Sequence, residues 1–203
     1  MTKIELTTEE NILEAAKKVF HKKGFDGARM QEIADEAGIN KSLLHYYFRS
    51  KEKLFEAIFQ DAFKQFLPKI GEALISNKSL FEIITLFVNA YIEMLIKNPY
   101  LPVFVVNEIN RNPDKIIDII KNSGVNPIKL ESIILSEIEK GTIININPKH
   151  LIINILSMCV FPILTRPIIT GFLFNNDTAL VQEFIEERKS QVTSFVINSI
   201  KLK

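Results

Sequence analysis

Between Ala28 and Leu54 the chain reads ARMQEIADEAGINKSLLHYYFRSKEKL, and no other run restricts its fold as tightly. Met30, Ile33, Ala34 and Ala37 fall at i, i+3, i+4 and i+7, one apolar stripe on a helix. Gly38 ends that helix, because glycine enters the positive-φ region without a Cβ penalty. Ile39 plugs the gap that follows, Asn40 is a good N-cap, and Leu43, Leu44, Tyr47 and Phe48 form a second inward stripe. Lys41, Ser42, His45 and Tyr46 are left facing out. Two short helices joined by a glycine turn make a helix-turn-helix. A cation, small hydrogen-bonding groups and an aromatic hydroxyl on the second helix suit phosphate oxygens and base edges in a major groove. The bland alternative is a solvated helix pair in an ordinary all-α domain.

The flanks favour the first reading. Thr7 stands three residues before Glu10 as a capping box, and Ile12, Ala16, Val19 and Phe20 follow at helical spacing until Gly24. Beyond the motif, Ser50 caps a helix carrying Leu54, Phe55, Ile58, Phe59, Ala62, Phe63 and Phe66. Its first turn, with free backbone N–H groups beside Lys51 and Lys53, is expected to grip a DNA phosphate.

From Thr7 to Phe59 these features resemble the DNA-binding head of the tetracycline-repressor (TetR-like) family of bacterial transcription factors. The resemblance rests on the first helix with Phe20 and Gly24-Phe25, on Glu32-Ile33-Ala34, on Ala37-Gly38-Ile39, and on Tyr47-Phe48 followed by Ser50-Lys51-Glu52-Lys53-Leu54. It implies an all-α chain: an N-terminal three-helix helix-turn-helix head, residues 1–49, joined by a fourth helix to a C-terminal ligand-binding and dimerisation body, residues 50–203, with 50–67 as connector. It implies a homodimer on a double-stranded DNA operator, most often a repressor released by a small molecule. The DNA-contacting set is then Arg29, Gln31, Asn40, Lys41, Ser42, His45, Tyr46, Tyr47, Lys51 and Lys53. Two departures from the family pattern matter. Ala28 and Arg29 replace the usual Thr or Ser at the start of the second helix, leaving Asp26 or water to cap it, while Arg29 adds a phosphate contact. Ser42 and His45 replace a usual Gly and Tyr. An imidazole, with its ordinary pKa of about 6.5, makes DNA affinity weakly pH-sensitive.

Charge supports this through its distribution. The net charge is only +1, yet from Lys17 to Lys53 nine lysines and arginines stand against five carboxylates. The local excess suits a dimer that pools two heads. With 203 residues, 47% hydrophobic and 24% charged, the chain is long enough for a head and a larger core-forming body. Cys159, the single cysteine, lies among Met158, Val160 and Phe161 and is expected to be a buried, inert thiol. The opening Met-Thr-Lys-Ile-Glu-Leu lacks the apolar stretch of a signal peptide, and Leu151 to Phe174 is interrupted by Asn154, Pro162, Arg166 and Pro167, so core rather than membrane is expected and the location is cytoplasmic.

Beyond residue 60, Pro68 and Gly71 are expected to loosen the fourth helix. Further helices are predicted over Leu80–Ile96 behind Ser79, Leu101–Asn110, Asp114 to Gly124, Pro127–Lys140, and from Pro148 to a break near Pro162. Pro167 and Gly171 mark an irregular connection, and Asp177 caps a helix over Thr178–Ile200 with Leu180, Phe184, Ile185, Val192, Phe195, Val196 and Ile200 inward. No strand and no long repeat is expected.

If the resemblance holds, a lipophilic effector sits among Phe63, Phe66, Phe87, Tyr91, Met94, Phe104, Asn107, Glu108, Met158 and Phe161, with Glu108 the one carboxylate that could meet a cation. Phe-rich stripes at helical spacing are equally the mark of plain core. Dimerisation is expected on the last two long helices through Leu156, Val160, Phe184, Val192, Phe195 and Val196. Two other functions stay open: an effector-independent nucleoid or cell-division factor of the same fold, and an all-α enzyme. The enzyme finds no support, since His21, His45 and His150 are scattered and no HExxH, phosphate loop or metal-spaced Cys/His cluster occurs. No catalytic residue, metal or cofactor is expected.

Overall fold

The computed structural model describes residues 7–111, 113–122 and 125–202, without the side chain of Lys115. Eleven helices make up the secondary structure of these residues: α1 (Thr8–Gly27), α2 (Met30–Glu36), α3 (Lys41–Tyr47), α4 (Lys51–Ile75), α5 (Leu80–Lys97), α6 (Leu101–Arg111), α7 (Pro113–Lys121), α8 (Pro127–Glu139), α9 (Pro148–Leu164), α10 (Arg166–Leu173) and α11 (Thr178–Ile200). An isolated antiparallel bridge pairs Ile143 with Lys201. The expected end of the helix after Asp114, at Gly124, and the opening six residues lie outside the described residues.

Two compact units emerge, one ending at Phe63 and the other beginning at Lys64. The division therefore falls inside α4, later than the 49/50 boundary drawn from the motif. Leu54, Phe55, Ile58 and Phe59 explain the shift: all four are buried, and Phe55 packs edge-on against Phe20 of α1 at 5.1 Å.

In the first unit, Thr7 accepts from the Glu10 N–H while Glu10 accepts from the Thr7 N–H, the reciprocal cap expected. The Thr7 hydrogen bonds hold the Glu10 carboxyl below its ordinary value. Gly24 adopts φ 69°, which breaks the helical ladder and leaves one short turn before α2. Gly38 adopts φ 67° between α2 and α3, and Asn40 Oδ1 accepts from the Leu43 N–H at 2.8 Å. Asp26 does not cap α2. The Arg29 N–H instead donates to Glu32 Oε2 at 3.3 Å, supplying half of a capping box.

In the second unit, Leu80, Ile84, Val88 and Ile92 of α5 build one core with Ile134 of α8, Leu151, Ile155 and Cys159 of α9, and Val192, Val196 and Ile200 of α11. Burying each such side chain contributes roughly 1.5–3 kcal/mol. That burial corrects one expectation about proline. α4 continues through Pro68 and Gly71 to Ile75, because Ile70, Ala73 and Leu74 are buried beyond the proline and offset its missing hydrogen bond. α9 runs through a buried Pro162 and ends at Leu164, the break expected near that proline. The connection expected after it is a helix of its own, α10, with Pro167 in its first turn and its axis bent 69° from α9. Asn175 and Asn176, at φ 48° and 65°, then turn the chain into α11. No described helix is by itself long and apolar enough to cross a membrane.

Candidate nucleic-acid interface

The first unit holds α3 from behind and leaves its front open. Leu44 and Phe48 are buried, and Asn11 Nδ2 of α1 donates to the Ala37 carbonyl at 2.8 Å, tying the end of α2 to the first helix. Lys41 and Ser42 are exposed, and Tyr46 is 79% exposed. His45 is half-buried, and its Nδ1 donates to the Arg49 carbonyl at 3.3 Å, which places the proton on that nitrogen and leaves Nε2 for an outside partner. Tyr47 does not belong to the inward stripe. It is 39% exposed and stands edge-on to Tyr46 at 5.5 Å, so two tyrosines share the outer surface of the helix.

The basic face is narrower than the sequence count implies. Lys17 bridges Glu14 and Asp61, Lys18 pairs with Glu36, Lys23 with Glu32, and Lys53 with Glu56, at 2.8–3.1 Å. The Lys23 hydrogen bond holds the Glu32 carboxyl below its ordinary range. Exposed pairs of this kind are weak, so these lysines can change partner, but only by giving one up. Among the described residues, Lys22, Arg29, Lys41 and Arg49 carry no ion pair. Lys22 and Arg49 were counted in the basic excess but not placed among the contacts, and only pairing geometry separates them from their neighbours. Gln31, on the exposed face of α2, donates to Asp35.

Lys51 also has partners inside the protein. Its Nζ donates to three main-chain carbonyls, Phe25 at 2.8 Å, Asp26 at 3.3 Å and Ala28 at 3.1 Å, and lies 4.6 Å from the centre of the Phe25 ring. An ammonium has three N–H donors, and the protein offers each of them a carbonyl.

The residues expected to line an effector site are only partly brought together. Phe66, Phe87 and Tyr91 form an aromatic trio in the second unit, with centroids 5.4–5.8 Å apart, and Met94 is buried on α5. Burial pushes the Tyr91 phenol and the Cys159 thiol each up to about 12, so Cys159 is the protonated, buried thiol expected. Phe63 belongs to the first unit, against Phe59 at 4.4 Å. Phe104 and Glu108 are half-buried on α6, whereas Asn107 on the same helix and Phe161 on α9 are exposed, the latter 60%, and leave the set. The charged side chain that does reach the interior is Arg188. Its Nη2 donates to the Met158 carbonyl at 3.1 Å, and its buried Nε has no hydrogen-bond partner. Its position three residues after the buried Ile185 and four before Val192 was the available signal. Separately, a cleft of about 330 Å³ runs along Lys78, Phe81, Glu82, Thr85 and Leu86 and includes none of the expected residues. No cluster of metal-ligating side chains occurs among the described residues.

The expected dimer residues also divide. Val192 and Val196 are 1% exposed and belong to the core of their own unit, so they are unavailable to a partner. Leu156, Val160 and Phe184 are half-buried, Phe184 against Phe174 at 5.3 Å, and Phe195 is 64% exposed. Leu180, expected inward, is also exposed.

Residues 12–58 match the model of the bacterial regulatory proteins of the tetR family. The same region is 46% identical over 59 residues to the HTH-type transcriptional repressor NicS of Pseudomonas putida, covering 29% of this chain and 28% of that protein. The probable HTH-type transcriptional regulator YttP of Bacillus subtilis is 25% identical over 174 residues, covering 84% of each chain. The crystal structure of the transcriptional regulator FadR from Bacillus subtilis in complex with stearoyl-CoA superposes with a TM-score of 0.65 at 18% identity, covering 93% of this chain and 97% of that one, and so shares its fold. Residues 12–58 are thus similar to the DNA-binding head of the tetR family of bacterial regulatory proteins, and the whole chain shares the fold of FadR.

Proposed function

We propose that this protein is a homodimeric, sequence-specific DNA-binding repressor of the cytoplasm that a small lipophilic effector releases. The observation that carries the DNA reading is the outer surface of α3: Lys41, Ser42, Tyr46 and Tyr47 stand exposed on a short helix whose opposite side is locked by Leu44 and Phe48. Arg29, Arg49 and Lys22 add cations that carry no ion pair among the described residues. This is the division of labour expected of a reader helix with phosphate contacts at its margins.

The dimer reading rests on exposed apolar side chains of α9, α10 and α11. Ile153, Phe161, Ile168, Phe172, Leu173 and Phe195 are each at least 58% exposed, a concentration that marks a covered surface in a stable soluble protein. The effector reading rests on the aromatic trio of the second unit and on the stearoyl-CoA bound by the FadR neighbour, a long-chain acyl ligand of matching chemistry.

Selection of duplexes from a random-sequence library with the full chain tests the proposal. Two half-sites are expected about 34–36 Å apart, one turn of B-DNA. An acyl ligand that raises the thermal midpoint should lower affinity for the selected duplex. For a hundredfold release it must favour the DNA-incompetent state by about 2.7 kcal/mol. Absence of any enriched duplex at low salt would remove the DNA reading.

A further inference from the structure

Along α11 the buried positions run Val181, Ile185, Val192, Val196 and Ile200, and Arg188 stands in the same stripe between Ile185 and Val192. Plain packing at that position calls for an aliphatic side chain. A guanidinium keeps its charge wherever it is placed, and burying a charge is costly unless a counter-charge and hydrogen bonds replace the lost water. Arg188 receives little in return. Its Nη2 donates to the neutral Met158 carbonyl at 3.1 Å, its buried Nε has no hydrogen-bond partner, and no carboxylate pairs with it among the described residues. Glu186 and Glu187, its neighbours on α11, are exposed, and Glu186 is paired with Lys189.

The surroundings of this charge show what it suits. Burial pushes the Cys159 thiol of α9 up, and the Arg188 charge acts against that rise; burial pushes the Tyr91 phenol of α5 up, and Cys159 adds to it. Guanidinium, thiol and phenol are therefore neighbours where α5, α9 and α11 meet. Tyr91 in turn belongs to the aromatic trio, 5.4 Å from Phe66 and 5.4 Å from Phe87. An apolar wall that ends at one desolvated fork of N–H donors complements a ligand of the same build, a hydrocarbon chain ending in a planar anion. The sign is opposite to the one that Glu108 would have set.

We propose that Arg188 is the headgroup contact of the effector site in the second unit, and that the effector is a long-chain free carboxylate: the guanidinium binds the acid, and the aromatic trio that includes Tyr91 meets the chain. This names the chemistry of the lipophilic effector and rests on that reading. The preference for an acid over a neutral head can be measured without DNA.

The experiment uses the full chain and probes of equal length, a linear free acid, the matching alcohol and the methyl ester, in dodecyl and octadecyl series, with affinity read by calorimetry. In the wild type the acid should bind about tenfold or more tighter than the alcohol or the ester, because a neutral head leaves the guanidinium unpaired. Arg188→Met keeps the length of the side chain and removes its charge. Its affinity for the acid should fall about tenfold or more, its affinity for the alcohol should hold or rise, and its thermal midpoint without ligand should not fall. Arg188→Lys, a point charge without the fork, should lie between the two. Should Arg188→Met lose both ligands through misfolding, the ratio of acid to alcohol affinity in Arg188→Lys decides instead. The acyl-coenzyme A of each chain length tests another source of negative charge: its thioester is neutral, so Arg188→Met should leave its affinity unchanged. A loss confined to the acyl-coenzyme A, or a preference for the acid that survives in Arg188→Met, would overturn the proposal. Equal wild-type affinity for acid and alcohol would also overturn it, while leaving the lipophilic effector in place. If no probe binds the wild-type chain, the effector reading fails and the anion site with it.

Discussion

The two units of this chain are stabilised in different ways. The first ties short helices together with specific polar bonds between distant residues: Lys51 to the α1–α2 corner, Asn11 to Ala37, and Lys18 and Lys23 to α2. The second relies on one apolar core shared by α5, α8, α9 and α11, with Arg188 bonding from α11 to the Met158 carbonyl of α9 and Arg166 from α10 to Gln182 of α11. Directional bonds fix angles, whereas apolar burial fixes volume and tolerates repacking. Under the proposed function, a unit that presents α3 at a set angle and a unit that surrounds a ligand call for those two solutions respectively.

The largest effect should come from charging the second unit's core. Val192→Glu puts a carboxylate into the apolar core and should cost several kcal/mol, unfolding that unit in denaturant titrations followed by circular dichroism. Retention of wild-type stability would show that Val192 faces out. The contrast with Phe195→Glu sharpens the point: three residues along the same helix, it should leave the protomer folded and shift sedimentation from dimer to monomer. A dimer of unchanged strength would move the interface off α11.

Alkaline pH should also act on the second unit. Cys159 and Tyr91 have folded pKa values of about 12, above the ordinary 9.0 and 10.0, so their contribution is full below 9.0 and is lost as pH rises from there toward 12. One pH unit above 9.0 the Cys159 share of that loss is on the order of 1 kcal/mol, and Cys159→Ala should flatten it in denaturation midpoints. The smallest effect belongs to the first unit. Asn11→Ala removes one bond to a main-chain carbonyl and should cost about 1 kcal/mol, but with a measurable loss of affinity for a selected duplex, because the bond sets the end of α2. A stability loss with no binding change would place Asn11 outside the angle-setting network.

Where local chemistry decides structure, the sequence was readable. Thr7 with Glu10, Ser79 with Glu82, Asn40, Gly24, Gly38 and Gly141 each act on neighbours within five residues, and the helix starts and stops they mark are present. The internal partners of Lys51 were not legible, because α2 and α3 separate them from it along the chain. Pro68 was read as loosening the fourth helix, since the burial of Ile70 and Leu74 that outweighs it is tertiary. α10 was missed because Pro167 and Gly171 punctuate it. On α11 the inward stripe was drawn too wide: Phe195 is one residue, a rotation of about 100°, from Val196, and that angle separates a surface from a core.

The shared core of the second unit has a consequence for synthesis. All the helices that bury the first unit's interior have been synthesised once Phe59 is added, so that unit can close early. The second cannot: Leu80, Ile84 and Val88 wait for Val192, Val196 and Ile200 before their apolar faces are covered. At the usual rates of translation, roughly 5–20 residues per second, this leaves α5 and α9 uncovered for several seconds behind a head that has already folded. Nascent chains should therefore be recognised by chaperones through the middle of the protein, and a chain truncated before α11 should aggregate even though its first helices are intact.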